Sequence, residues 1–397
     1  MKKGISLILI FLITLLTGCN NNESLEEEIV IWANCTDKEF KSFTELCDKW
    51  GDDNNISINL INSTVNEIEF NAVKESKYDA PDIIWGISSE KLEWLIENNC
   101  IEELDGNIEN LDDYISEDIV ENTSLNGKRY GVPIYVETLA LYYNKDMVDE
   151  VPKTMDELLK VSEKEGLSFD ITNGYFSYGF ISTCGGYIFK NNNGTFDYND
   201  IGLANDGAIE GYKVLQDIGV KYKLISQDIN DDSAEACFVI GKSAFYLGES
   251  KKIDNFKETN MNFGIAVIPS INNNPFKPFK EVKMSFVNPF SSEKDKSYEL
   301  LKFMVDNGGE ILIKDGNKIP ANKKYVNSEA FKENVYLQSF YKQLETAEVT
   351  PNIYELEAYW QTISNNLQLL TLGQITPEEC GEKSKSDLIE YVEANFN

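Results

Sequence analysis

Residues 126–146 read NGKRYGVPIYVETLALYYNKD. From Tyr130 to Tyr143 the stretch runs through two strand-like pieces, and it separates two patterns of the same kind. Upstream, Ile29-Val30-Ile31-Trp32 is a short apolar run of strand type. Phe40, Phe43, Cys47 and Trp50 then recur at three- and four-residue spacing, which marks an amphipathic helix. Ile56–Ile61 alternates apolar with polar as a second strand, and Pro81-Asp82-Ile83-Ile84-Trp85 supplies a third. A helix over about Ser88–Asn98 follows, burying Leu92, Leu95 and Ile96. Such alternation predicts a parallel sheet with helical crossovers. Downstream the pattern restarts. Thr154 and Glu157 form a capping box at the head of a helix, further helices are expected at about 206–218 and 233–240, and strands at 244–247 and 263–268. From Glu293 onward the chain reads mainly helical. The expectation is an α/β protein of two units, a size for which 397 residues suffice.

The N-terminus predicts export. Met1-Lys2-Lys3 precedes an apolar run from Ile5 to Leu16, too short for a confident bilayer span, as in a secretory signal. Leu16-Thr17-Gly18-Cys19 resembles the bacterial lipobox, so residues 1–19 are expected to be a signal peptide and Cys19 the lipidated mature terminus. A two-chain lipid there would anchor the protein stably to a membrane. Residues 20–28, polar and acidic, read as a tether. Removing Lys2 and Lys3 from the 36 basic residues leaves 34 against 67 acidic ones, a net charge of −33. That field repels polyanions, so nucleic acid is excluded as a partner, while a 42% hydrophobic fraction supports a packed core.

The chain contains no histidine. This removes the commonest general base, every Ser-His or Cys-His nucleophile pair and all histidine metal ligands. Cys35, Cys47, Cys100, Cys184, Cys237 and Cys380 are scattered without a C-x-x-C pair, so no metal or other cofactor is expected, and mostly free, buried thiols are. Asp228–Glu235 has a superficial likeness to a calcium loop, but Ser233 stands where glycine is required and Val239 where the terminal glutamate should be. Asp232 and Glu235 are instead expected to cap the following helix.

Seven ordered pieces carry a family resemblance: IVIWANCTDK (29–38), APDIIWG (80–86), the opening stretch (126–146), PKTMDEL (152–158), YFSYGFISTCGGYIFK (175–190), FGIAVIP (263–269) and TPNIYELEAYW (350–360). The chain resembles the bacterial maltose/maltodextrin-binding proteins, family-1 extracellular solute-binding proteins, along its mature length. The resemblance implies a two-lobe Venus-flytrap fold with the ligand cleft between lobes, placing 29–136 plus 284–328 in the N-terminal lobe and 137–283 plus 329–397 in the C-terminal lobe. It implies a carbohydrate ligand, delivery to the permease of an ABC importer, a monomer and no enzymatic activity. Carried over motif by motif, it assigns Asp37, Lys38 and Glu137 to sugar hydroxyls, and Tyr175, with Phe176 beside it, and Trp360 to stacking. Both chemistries suit a pyranose, whose hydroxyls pair with carboxylates and whose C–H face covers an aromatic ring.

The departures also matter. Gly86 stands where the family carries a tryptophan, with Trp85 one place earlier on the opposite side of the strand, and Ser89-Glu90 replaces Asp-Arg. Asn173 replaces a glutamate, and Lys251 replaces the tryptophan of a second platform. Loss of two platforms predicts a shorter or differently decorated sugar. Trp32, Trp50 and Trp94 are expected in the core. A glycoside hydrolase would need an acid and a base or nucleophile on opposite sides of one bond, and no motif proposes that pair. A sugar sensor feeding a signalling receptor would share the fold.

Overall fold

A computed structural model of the chain describes residues 28–76, 79–104, 113–192, 194–225 and 229–396. The expected signal peptide, Cys19 and nearly all of the tether lie outside the described residues. No described helix is long and apolar enough to cross a membrane.

Two sheets organise the molecule. In chain order, β1 (Glu28–Ala33), α1 (Asp37–Asn54), β2 (Ser57–Asn62), α2 (Glu67–Val73), β3 (Ile83–Ser88), α3 (Leu92–Glu97) and β4 (Val132–Glu137) begin the first lobe. Then β5 (Leu139–Asn144), α4 (Met155–Glu165), β6 (Leu167–Ser168), α5 (Gly174–Thr183), α6 (Asp206–Gln216), α7 (Asp231–Val239), β7 (Phe245–Glu249), α8 (Ile253–Glu258) and β8 (Phe263–Ala266) build the second. The chain returns through β9 (Phe279–Val287), α9 (Lys294–Asn307) and β10 (Ile319–Pro320), and ends with α10 (Val335–Leu344), β11 (Glu348–Val349), α11 (Leu356–Thr371) and α12 (Pro377–Asn395). The first sheet runs β10-β4-β9-β3-β1-β2 with β11 beside β9, and the second runs β8-β5-β7-β6.

The helices start where side chains satisfy the free N–H groups of their first turns. Thr36 heads α1 and Thr154 heads α4, each in a capping box with the glutamate three residues on. The cap of α7 differs from expectation: Asn230 and Ser233 form it, while Asp232 sits in the first turn and Glu235 pairs with Lys252 at 2.5 Å. A side-chain amide accepting the Ser233 N–H does the work assigned to the acids.

The expectation of a parallel first sheet needs correcting. Only β2-β1-β3 and the short β9-β11 pair are parallel; β9 enters antiparallel between β3 and β4. Strand partnership across some 150 residues leaves no trace in local periodicity. The same strand runs across the expected lobe boundary at 283: Glu281–Ser285 pair with β4, and Phe279 and Lys280 with β11. The first crossing is abrupt. β4 ends at Glu137 in one sheet, β5 begins at Leu139 in the other, and Thr138 between them donates its hydroxyl to the Phe279 carbonyl at 2.6 Å.

Candidate functional site

The crossing strands build the floor of the cleft. Glu137 and Glu281 end up directly opposite each other on β4 and β9, a like-charge pairing that is unfavourable unless neutralised. Glu249, the last residue of β7, joins them from the second lobe, and oxygens of the three carboxylates lie within 4.8 Å of one another. That spacing would suit a cation, but the positive charge is supplied from within the chain. Lys283 contacts Glu281 and lies 3.7 Å from Glu137, and Lys251 binds Glu249 at 2.5 Å.

The titration behaviour follows from this crowding. Burial, and then the charge of Glu137, push Glu249 up to about 7. Burial works against a charged Glu281 as well, yet Lys283 holds it below the usual carboxylate range. Lys283 is likewise held protonated, above its ordinary value, by Glu281 and Glu137 despite burial. The hydroxyl of Tyr175 is buried without a hydrogen-bond partner; desolvation and the neighbouring Glu249 and Glu281 push its ionisation far up. It is a neutral donor with unspent capacity, and such groups in native proteins call for a partner.

The residues expected at the ligand fall into four groups. Glu137, Lys251 and Tyr175 converge on the floor. Trp360 projects from α11 at one end of the cleft, held edge-on by Phe279 (centroids 5.7 Å, 66°) and Tyr359 (5.0 Å, 67°), while Tyr175 stacks on the same Phe279 at 6.0 Å and 22°. Phe279 thus sets two aromatic side chains from different helices in one frame. Phe176 is buried in the core, and Asn173 caps α5 by accepting the Tyr175 N–H at 2.9 Å; the asparagine positions the tyrosine.

Asp37 and Lys38 are exposed at the start of α1. Their turn is fixed from beneath: Glu39, fully buried, accepts the Thr36 N–H at 2.8 Å and pairs with Lys318 at 2.9 Å. Lys38 spans the cleft to Asp254 on α8 at 2.5 Å, and Asn317 of the first lobe donates to the other oxygen of Asp254 at 2.9 Å. The opposite end is bridged as well. The Tyr354 N–H donates to Glu93 at 2.8 Å, and Lys91 lies 3.7 Å from Glu357. Contacts between the lobes therefore close the cleft at both ends.

Sequence reasoning missed Glu281, Lys283 and Asp254, and it left Glu90 without a role. Nothing local marks them, because each acquires its neighbours from a distant strand or helix. It also placed Trp94 in the core. Trp94 is instead half-buried and, with Trp360, Glu67, Glu90, Lys91 and Glu357, lines a cavity of about 230 Å³ between the lobes. Periodicity identified the inward-facing side of α3 through Leu92 and Leu95, which are fully buried, but could not tell a core-facing tryptophan from one on the shoulder of that face. The expected free thiols are present: all six described cysteines are unpaired, although Cys35, Cys184 and Cys237 are only partly buried. At Gly86 the backbone adopts φ +92°, a conformation that L side chains rarely take, so this chain carries no platform there.

With this geometry in hand, the relatives are informative. The family of bacterial extracellular solute-binding proteins matches residues 42–338. The maltodextrin-binding protein MdxE of Bacillus subtilis (strain 168) is 30% identical over 294 residues, covering 70% of this chain and 69% of its own. A maltooligosaccharide ABC transporter solute-binding lipoprotein of Streptococcus pneumoniae (strain ATCC BAA-255 / R6) is 28% identical over 290 residues, 69% of this chain and 68% of its own. Among solved structures, the maltose-maltodextrin binding protein of Alicyclobacillus acidocaldarius superposes with a TM-score of 0.84 at 26% identity, over 91% of this chain and 100% of the other. Two lobes around a closed cleft, an aromatic wall and paired carboxylates at the crossing thus coincide with sequence kinship over most of the chain, which belongs to the family of bacterial extracellular solute-binding proteins.

Proposed function

We propose that this solute-binding protein captures a short, neutral oligosaccharide in the cleft between its lobes and delivers it to the permease of an ABC importer. The observation that carries the reading is the floor and its neighbouring wall. Trp360 offers an aromatic face, Tyr175 an unpaired buried hydroxyl, and Glu137 and Glu249 carboxylates reached from either lobe. A pyranose matches that combination of apolar face and hydroxyl rim. A ligand touching both lobes stabilises the closed form by its differential affinity for it, and closure is a shape that a permease can recognise. The relatives named for maltodextrin and maltooligosaccharide support a glucan-like ligand.

The carboxylate cluster does not favour hydrolysis. Its three oxygens converge on one another with two lysines among them, whereas glycoside cleavage needs an acid and a nucleophile or base on opposite sides of one bond. We further propose that the two lobes divide at the crossings near Thr138, Phe279 and Glu348, that the protein acts as a monomer, and that lipid on Cys19 holds it at the outer membrane face. The lipoprotein name of the pneumococcal relative supports the last point.

The decisive experiment is calorimetric titration with maltotriose, cellotriose and galactotriose. Saturable one-to-one binding of at least one, without release of reducing ends, is expected. Binding of none of the three, or sustained release of reducing ends by pure protein, would overturn the reading.

A further inference from the structure

The three crossings proposed above meet at one residue. Phe279 opens β9. Its carbonyl accepts the Thr138 hydroxyl of the first crossing at 2.6 Å, and its backbone lies opposite Glu348 of β11 in the third. The Phe279 side chain is 1% exposed, so it does not reach a ligand in the cleft. It nevertheless touches both aromatic groups assigned to that ligand. Tyr175 stacks on it at 6.0 Å and 22°, and Trp360 meets it edge-on at 5.7 Å and 66°.

A second clamp fixes the ring. Tyr178, three residues beyond Tyr175 on α5, lies parallel to Phe279 at 3.9 Å and 5°. The Tyr178 hydroxyl donates to Glu348 at 3.2 Å, and Lys277 pairs with the other oxygen of that carboxylate at 3.0 Å. Tyr178, Lys277 and Glu348 line a cavity of about 460 Å³ that neither Trp360 nor Tyr175 lines. Turning the Phe279 ring away from its neighbours would break the closest of these stacks. A packed interior of this kind transmits displacement instead of absorbing it, so a change of backbone angle at the crossings carries the ring, and the ring carries the groups that lean on it.

We infer that Phe279 is a positioning residue for ligand binding: it couples the angle between the lobes to the placement of Trp360 and Tyr175, so that closure and presentation of the aromatic groups are one motion. The inference rests on the sugar-binding reading above and adds to it a residue that sets affinity without touching the ligand. Tyr178 backs that residue from outside the cleft, and a change there reaches the ligand through Phe279.

The test is a double-mutant cycle. Wild type, Phe279→Leu, Trp360→Ala and the variant carrying both are titrated calorimetrically with maltotriose, cellotriose and galactotriose, and each is checked by thermal denaturation. Phe279→Leu should weaken the binding trisaccharide about tenfold, the scale of losing an aromatic partner. In the Trp360→Ala background the same change should cost less than about threefold, because the group it positions is gone. A merely structural role gives an equal factor in both backgrounds with a lowered melting temperature, and that result would overturn the inference. Tyr178 supplies a second measurement should Phe279→Leu fail to fold. Tyr178→Leu removes the ring stacked on Phe279 and should cost about threefold or more, whereas Tyr178→Phe keeps the ring and should stay within about twofold of wild type. Equal affinities in the two Tyr178 variants would sink the proposal. In protein labelled with 5-fluorotryptophan, the Trp360 fluorine resonance, identified by its loss in Trp360→Ala, should shift in Phe279→Leu and in Tyr178→Leu; an unmoved resonance counts against the coupling. Should the wild type bind a trisaccharide that Phe279→Leu and Tyr178→Leu bind equally well, the positioning role is wrong while sugar binding stands. Should the wild type bind none of the three, the sugar-binding reading falls and the positioning role with it.

Discussion

The floor of the cleft and its Trp360 end both place several carboxylates in a small space, and they neutralise them differently. On the floor, Lys283 and Lys251 make close contacts with Glu281 and Glu249, one short ion pair to each of these acids. At the Trp360 end, Lys91 stands 3.5–3.7 Å from each of three acids, beside two indole rings. Tight pairing suits a hinge, where an uncompensated buried charge would be expensive. Loose pairing suits a binding wall, because the same groups can trade an ion pair for bonds to a ligand.

The sharpest way to break this contrast is to remove the cation of the floor. Lys283→Met leaves Glu281 and Glu137 facing each other across β4 and β9, and losing one partner of a buried pair typically costs ~3–5 kcal/mol. Urea denaturation should show a loss of that order near pH 7, smaller at pH 5 where a carboxyl can take the proton. A loss under about 1 kcal/mol would mean that the floor is wetter than its burial indicates.

Next in size is the aromatic wall. Trp360→Ala should weaken the binding trisaccharide by roughly thirtyfold, about 2 kcal/mol, as is common for a truncated aromatic anchor. Retained affinity in that variant would move ligand recognition to the floor and reverse the division of labour.

The floor also carries a pH signature. Glu249 titrates near 7 in the folded protein against an ordinary value of 4.5, so the folded state binds the extra proton. The stability this brings is complete below about pH 4.5 and is lost as pH rises through about 7. Glu249→Gln, permanently neutral, should therefore gain on wild type as denaturation midpoints are compared from pH 5 to pH 8. A constant gap across that range would show that Lys251 already keeps Glu249 charged.

The smallest effect is expected at Lys251, whose side chain is half exposed. Lys251→Ala should change affinity by less than about fivefold, because its ammonium is paired with Glu249 and its side chain sits at the rim of the cleft. Loss of binding in this variant, with Trp360→Ala intact, would point to an anionic ligand held by charge.

Parts of the site were legible before any coordinates. Motif context pointed to Trp360, Tyr175 and Glu137, which the fold brings to one cleft, and to Lys38, whose ammonium the structure pairs with Asp254 across the lobes. Phe176 and Asn173 flank the site as a core side chain and a helix cap. Their motif carried them along with Tyr175, because consecutive helical residues point in different directions. Trp94 went the other way: Leu92 and Leu95, three residues apart in α3, signalled a core helix, whereas the tryptophan lies half-buried beside a cavity that α11 also lines.

What the sequence determined by itself was whatever depends on residues close together in the chain: alternating strands and helices, the threonine capping boxes, and the amphipathic faces of the helices. What only the tertiary structure decided was which charges meet. Glu137, Glu249 and Glu281 come from three strands, and Lys91, Glu67 and Glu357 from three separate segments. The physical reason is that hydrophobic periodicity is a local property of the backbone's geometry, whereas Coulombic and hydrogen-bonding partnerships depend on distances that are set only when both lobes have folded and the crossing strands have chosen their register.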